Sequence, residues 1–280
     1  LAWQNRDQNV NIFAGKKRAA AAAQDSGATS FNYDLRLFLD TSFTGKDLLR
    51  TMLRAGNFGS SAFGGGKYVG LDGMETAFEE PSGANSVGVN RLWYQFPIGS
   101  SFTATVGGLV RQDDMLAVWP SAYPADTVLD FFTYAGSPAT YNLGLGQGGG
   151  LSWESNDFSV SANYLSTNGN LSSASQGIDG QSCQNAGGIA TDCAGSNGTV
   201  QIAYAPENWG LAAAYNYTSK NAGTLYGGNG TPLATAFTSN GNNSSVGLSA
   251  WWSPEEAGWI PSISAGWGYN SVTNGDKNLI

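Results

Sequence analysis

Apolar and polar side chains alternate with a period of two along successive short stretches of the chain, and the clearest is FNYDLRLFLDTSFTGKDLLRTMLRAGN at residues 31–57. In its first arm Phe31, Tyr33, Leu35, Leu37 and Leu39 share one side, while Asn32, Asp34, Arg36 and Asp40 share the other, as a strand requires. Phe38 alone breaks the polar side. After residues 41–47 the second arm sets Leu49, Thr51, Leu53 and Ala55 against Leu48, Arg50, Met52 and Arg54. The stretch predicts a hairpin with one apolar face and one face bearing arginine.

Four more hairpins follow. Residues 86–98 and 102–112 place Leu92, Tyr94 and Phe96 opposite Arg91, Trp93 and Gln95, and then Phe102, Ala104, Val106 and Val110 opposite Thr103, Thr105 and Arg111. The remaining pairs are 141–154 with 158–166, 198–205 with 211–219, and 244–253 with 260–272. Short turns alternate with connections of about 20–30 residues at 58–85, 113–139, 167–197 and 220–242. A β-sandwich has connections of similar size at both ends. Outer-membrane barrels instead combine short periplasmic turns with long outer loops. Aromatic residues gather near strand ends (Tyr94, Phe96, Phe102, Trp153, Phe158, Tyr217, Trp252, Trp259), where interfacial girdles belong. The pattern therefore predicts an all-β, transmembrane, antiparallel up-and-down β-barrel with about ten strands readable, its long loops extracellular and its short turns periplasmic.

Composition sharpens this. Of 280 residues only 12% are charged, about half the usual share for a soluble domain, whereas glycine (39) and aromatics (12%) are plentiful. No run of 18 apolar residues predicts a membrane helix, but a membrane strand needs only about 9–11 residues. Only a closed barrel lets strands cross lipid without an unpaired edge. The net charge of −8 and a pI near 4.4 argue against a nucleic-acid partner. Histidine is absent, which removes the usual general base and the commonest metal ligand, so no enzyme activity, catalytic residue, metal or cofactor is expected. Cys183 and Cys193, the only two cysteines, are expected to form a disulfide in an oxidising compartment. Residues 1–30 read as a processed or truncated start, with a short helix expected at 15–24 (GKKRAAAAAQ).

Strand parity puts Arg36, Arg50, Arg54, Arg91 and Arg111 on the polar, lumen-facing side. As pore-lining residues they would favour anions, with Asp72, Glu75, Glu79, Glu80, Asp113, Asp114 and Asp126 assigned to loops near the mouth. The competing reading pairs each arginine with a carboxylate from a folded-in loop, Arg50 with Glu79 for instance. Residues 113–139, rich in Trp, Phe and Pro, are expected to pack inside the barrel as a constriction loop carrying Trp119, Asp126, Phe131 and Phe132.

Three segments carry a family resemblance: LDTSFTGKDLLRTMLRAGNF (39–58), RLWYQFPIG (91–99) and SAWWSPEEAGWIPSISAGWG (249–268). They resemble the cyanobacterial outer-membrane porins related to the carbohydrate-selective porin family, most specifically in the TSFTGKDLLRT block. That resemblance implies a barrel of about 16 strands, a homotrimer in outer-membrane lipid, and passive uptake of small solutes, chiefly inorganic ions including iron. It also implies a preceding surface-layer homology domain that grips peptidoglycan, expected to lie outside this chain, with residues 1–280 an incomplete barrel domain. Two further readings stay open: a sugar-selective porin with Trp93 and Trp251 as stacking platforms, and a secreted β-rich binding or adhesive protein.

Overall fold

The computed structural model describes residues 28–59, 61, 74–77, 83–126, 129–174, 183, 185–223, 241–256, 258–273 and 278–279. They form one all-β antiparallel sheet of up-and-down order, each strand pairing with its sequence neighbours. The strands are β1 (Asp34–Thr41), β2 (Leu48–Gly56), β3 (Gly88–Ile98), β4 (Phe102–Arg111), β5 (Leu145–Ser155), β6 (Phe158–Ser166), β7 (Ser196–Tyr204), β8 (Trp209–Thr218), β9 (Asn242–Trp252), β10 (Ile263–Thr273) and β11 (Asn278–Leu279). Among the described residues the sheet does not close on itself. The expected helix at 15–24, and Asp72, Glu79 and Glu80, lie outside the described residues.

The faces are inverted relative to a water-soluble sheet. On β8, Trp209, Leu211, Tyr215 and Tyr217 are 42%, 52%, 46% and 38% exposed, whereas Ala212, Ala214, Asn216 and Thr218 are 7%, 5%, 0% and 1% exposed. On neighbouring strands Val160, Ile202, Val246 and Leu248 are exposed, while Ser161, Asn163, Thr199, Gln201 and Ser245 are buried. A sheet in water buries its apolar face. Leaving each large apolar side chain in water forgoes about 1.5–3 kcal/mol, so this outer face calls for apolar surroundings.

Aromatic rings band the outer face near the short turns. Phe102 pairs with Trp153 and Trp209 with Trp252 across neighbouring strands, and Phe158, Tyr204 and Trp209 stack in sequence at centroid distances of 4.5 and 5.5 Å. Tyr164, Tyr217 and Tyr269 form a second band toward the long loops, where Gly198 pairs with both Tyr164 and Tyr217. Trp209 and Tyr217 stand eight residues apart on β8, about 27 Å at 3.4 Å per residue. A tilt of about 40° brings this to roughly 21 Å, close to the apolar band of a membrane barrel.

The turn between β1 and β2 is closed by Asp47, whose carboxylate accepts hydrogen bonds from Thr44 Oγ1 and N, Phe43 N, Ser42 Oγ and Tyr94 Oη. The Thr44 hydroxyl foremost, then Tyr94, holds the carboxyl far below the ordinary carboxylate value.

Two expectations need correction. The third hairpin does not begin at Tyr141: β5 starts at Leu145, and Tyr141 is fully buried in the preceding connection. Val110 does not join Phe102 and Val106 outside, because the register shift between Gly107 and Val110 turns it inward. There it packs with Trp93, Met115 and Leu165. At the C-terminal side, Asn278 and Leu279 pair with Ser271 and Asn270.

Candidate functional site

The described residues of 112–144, which join β4 to β5, lie along the polar face of the sheet. In chain order, Ala117 N donates to Ser161 Oγ on β6, and Ser121 Oγ and Ala122 N meet Ser264 Oγ on β10. Asp126 accepts from Arg36 on β1. Ala135 O accepts from Ser249 on β9, Thr140 Oγ1 donates to Ser245, and Asn142 Nδ2 donates to Asn197 and Asn216 on β7 and β8. Gln201 Nε2 donates to Tyr141 Oη, and Gln112 Nε2 donates to Thr199 Oγ1. These bonds satisfy many of the buried amides and hydroxyls of the inner wall, which would otherwise be costly.

Contact with so many strands requires strong curvature. Nine strand spacings of about 4.8 Å would put β1 and β10 about 43 Å apart in a flat sheet. Tyr123 Oη nevertheless donates to Ser262 O beside β10, while Asp126, three residues on, reaches β1. Three residues span at most about 11 Å, so the sheet curls its two edges toward each other around this segment.

Glycines let the segment seat against the wall. A Cβ on Gly266 would come 2.2 Å from Ala135 O and 2.6 Å from Gly136 Cα, and one on Gly268 would come 2.3 Å from Ser137 Oγ. Gly136 itself has φ +76°, a conformation other residues adopt at a cost.

All five arginines hold carboxylates. Arg50 makes two bonds to Asp40 (2.9 and 2.7 Å), with its guanidinium over the Phe38 and Trp93 rings at 5.2 and 5.3 Å. Arg54 pairs with Asp34 at 2.5 Å, and Arg91 with Asp114 at 2.9 Å. Arg36 holds Asp34, Glu75 and Asp126 at 2.6, 2.9 and 2.9 Å. Arg111 holds Asp113, Asp126 and Glu75 at 2.5, 3.1 and 3.3 Å. Glu75, Asp113, Asp114 and Asp126 thus fold inward onto the arginines and do not line an outer mouth. Burial and the neighbouring Asp113 push the Asp114 carboxyl up to about 6, against the pull of Arg91 and Arg111. Burial raises Asp126 too, but Arg111 and Arg36 outweigh it and leave its carboxyl below the ordinary value.

In the connection itself, Trp119 packs edge-on against Tyr141 at 5.6 Å, and Phe132 is largely exposed. The side chain of Phe131 lies outside the described set. Trp93 faces inward but is covered by Val110, Met115 and Leu165, which leaves no open ring for a sugar to stack on. Trp251 lies over Gly210, where a Cβ would come 2.1 Å from its ring. Cys183 and Cys193 are bonded, with Cα atoms 5.4 Å apart, in the connection between β6 and β7. Asn168 ties that loop down by donating to Ala186 O and Cys193 O.

Sequence reasoning missed two features, the burial of Glu75 between Arg36 and Arg111 and the backbone contact of Gly136 with Gly266. The alternate glycines of AGWGYN on β10 were the only available hint of the second.

No family model matches the chain. Similar curated proteins include an uncharacterised protein of Synechocystis sp., 30% identical over 211 residues, which covers 74% of this chain and 35% of that protein. Another, from Nostoc sp., is 29% identical over 186 residues, covering 60% of this chain and 32% of its own length. The chain therefore spans about a third of the length of these relatives. Among solved structures, an engineered variant of the Rh. blastica porin aligns with 85% of this chain and 64% of its own at a TM-score of 0.39 and 11% identity. A second variant covers 89% and 65% at 0.39 and 12%.

Proposed function

We propose that this chain is the wall of an outer-membrane porin through which small solutes, chiefly inorganic ions, diffuse passively. The observation that carries the reading is the inversion of faces: exposed Leu, Ile, Val and aromatic side chains outside, buried Ser, Thr, Asn and Gln inside. The outer face meets membrane lipid, the short turns face the periplasm and the long connections face outward. Residues 112–144 form the constriction, with Trp119, Asp126, Phe131 and Phe132 on it. Arg36, Arg50, Arg54, Arg91 and Arg111 line the wall as paired charges. Those five guanidiniums face six carboxylates, Asp34, Asp40, Glu75, Asp113, Asp114 and Asp126, so the wall gives no anion preference and leans toward cations. No step of chemistry is involved. Passage of iron, a homotrimer and attachment to peptidoglycan through a separate domain rest on the family resemblance alone.

The test is conductance of the purified protein in planar bilayers. Ohmic steps in potassium chloride with a reversal potential on the cation side are expected, together with slow liposome swelling in sugars. Extraction into aqueous buffer without detergent, and no conductance, would refute the reading.

A further inference from the structure

Glu75 belongs to no strand. It opens the short 3-10 turn Glu75–Ala77 in the connection between β2 and β3, yet it is only 2% exposed. Its carboxylate accepts from Arg36 Nη2 at 2.9 Å and from Arg111 Nη1 at 3.3 Å. The same two guanidiniums hold Asp126 through Arg36 Nη1 (2.9 Å) and Arg111 Nη2 (3.1 Å). Beside Glu75, Met74 forms an antiparallel bridge with Leu129, three residues beyond Asp126. Two inward connections therefore meet twice, once through shared arginines and once through backbone.

We propose that the β2–β3 connection is a latch on the inward β4–β5 segment, with Glu75 as its positioning residue. Glu75 holds Arg36 and Arg111 at the spacing and orientation that receive Asp126, and so keeps Asp126 against β1 and β4, with Leu129 bridged to Met74. Removing its charge takes one of three carboxylates from each largely buried guanidinium, Arg36 then turns toward Asp34 and Arg111 toward Asp113, and the Asp126 end of the segment loosens. Only the electrical readout of this latch depends on the porin reading.

The test is the variant Met74→Cys/Leu129→Cys, since antiparallel bridge partners have Cα separations of about 4.5–5.5 Å, inside the range a disulfide spans. Mild oxidation of the intact protein should crosslink the two connections, read from proteolytic fragments. Adding Glu75→Gln should slow crosslinking about tenfold or more, the scale expected when a buried cation loses its partner. Should Glu75→Gln fail to fold, Glu75→Asp serves, because its shorter reach cannot serve both arginines and crosslinking should again slow. Loss of wall stability alone would lower the denaturation midpoint without changing the crosslinking rate. A rate equal to the parent's in either variant overturns the latch. In bilayers, Glu75→Gln should also raise single-channel conductance. A parent protein that never conducts, yet crosslinks in a Glu75-dependent way, overturns the porin reading and leaves the latch standing.

Discussion

A single methyl group on Gly266 tests whether residues 112–144 narrow the channel. The new Cβ would stand 2.2 Å from Ala135 O and 2.6 Å from Gly136 Cα, so the segment must retreat by about 1 Å to reach ordinary contact. Overpacking of this kind costs about 1–3 kcal/mol. The retreat also breaks the Ser249 to Ala135 O hydrogen bond, worth about 1 kcal/mol net. On this side the segment is otherwise held by four bonds: Thr140 to Ser245, Ser121 with Ser264, Ala122 N to Ser264, and Tyr123 Oη to Ser262 O. With the broken bond they total about 2.5–7.5 kcal/mol. A loss of about 2–4 kcal/mol moves the seated-to-released ratio by about 1.5 to 3 orders of magnitude. Gly266→Ala should therefore raise single-channel conductance with added open-state noise, and Gly266→Val should raise it further. Gly108→Ala, at a glycine with nothing within 4 Å of its Cβ position, should match the parent. If Gly266→Ala migrates as a folded barrel on unheated gels and conducts like the parent, these residues are not the constriction.

Arg54 is fully buried against Asp34, so Arg54→Ala should destabilise the protein by about 3–5 kcal/mol in urea titrations monitored by tryptophan fluorescence. Asp114, with its folded-state value raised to about 6, takes up a proton as pH falls from 7.5 to 5; reversal potentials should then move toward anions, and Asp114→Asn should abolish the shift. Because that value lies above the unfolded one, this group's contribution to stability grows as pH drops through 6 toward 4 and is lost as pH rises, so Asp114→Asn should stabilise the protein at pH 8. Reducing the Cys183–Cys193 bond, whose partners lie 10 residues apart, frees a loop worth somewhat under about 3 kcal/mol of unfolded-state entropy. Faster proteolysis near residue 190 and unchanged conductance are expected.

Strand identity and facing were legible wherever alternation was strict. On β8 the sequence LAAAYNYT places Tyr215 and Tyr217 outside and Asn216 inside without further information. Alternation fails at irregularities, since a bulge adds a residue without changing composition. That is why parity assigns Val110 to the wrong face and gives no sign of the register shifts at Met52/Leu53 and Leu92/Trp93. Parity places the arginines on the inner face but does not reveal their partners. Arg36 and Asp126 are 90 residues apart in sequence, and no period links them. Tyr141 continues the alternation of Leu143 and Leu145 and so reads as strand, yet its hydroxyl meets Gln201 on β7, and that tertiary contact overrides local propensity.

The inward β4–β5 segment also sets an order of assembly. Each strand finds its partner in the adjacent hairpin, so the wall can grow through short closures. Ser121 and Ala122, by contrast, wait for Ser264, 143 and 142 residues later. Contacts of such long range form late because the intervening chain must be ordered first. The segment must therefore stay hydrated on the concave side while the hairpins from β5 to β10 are laid down, and its Ser121–Ala122 end seats only when β10 arrives.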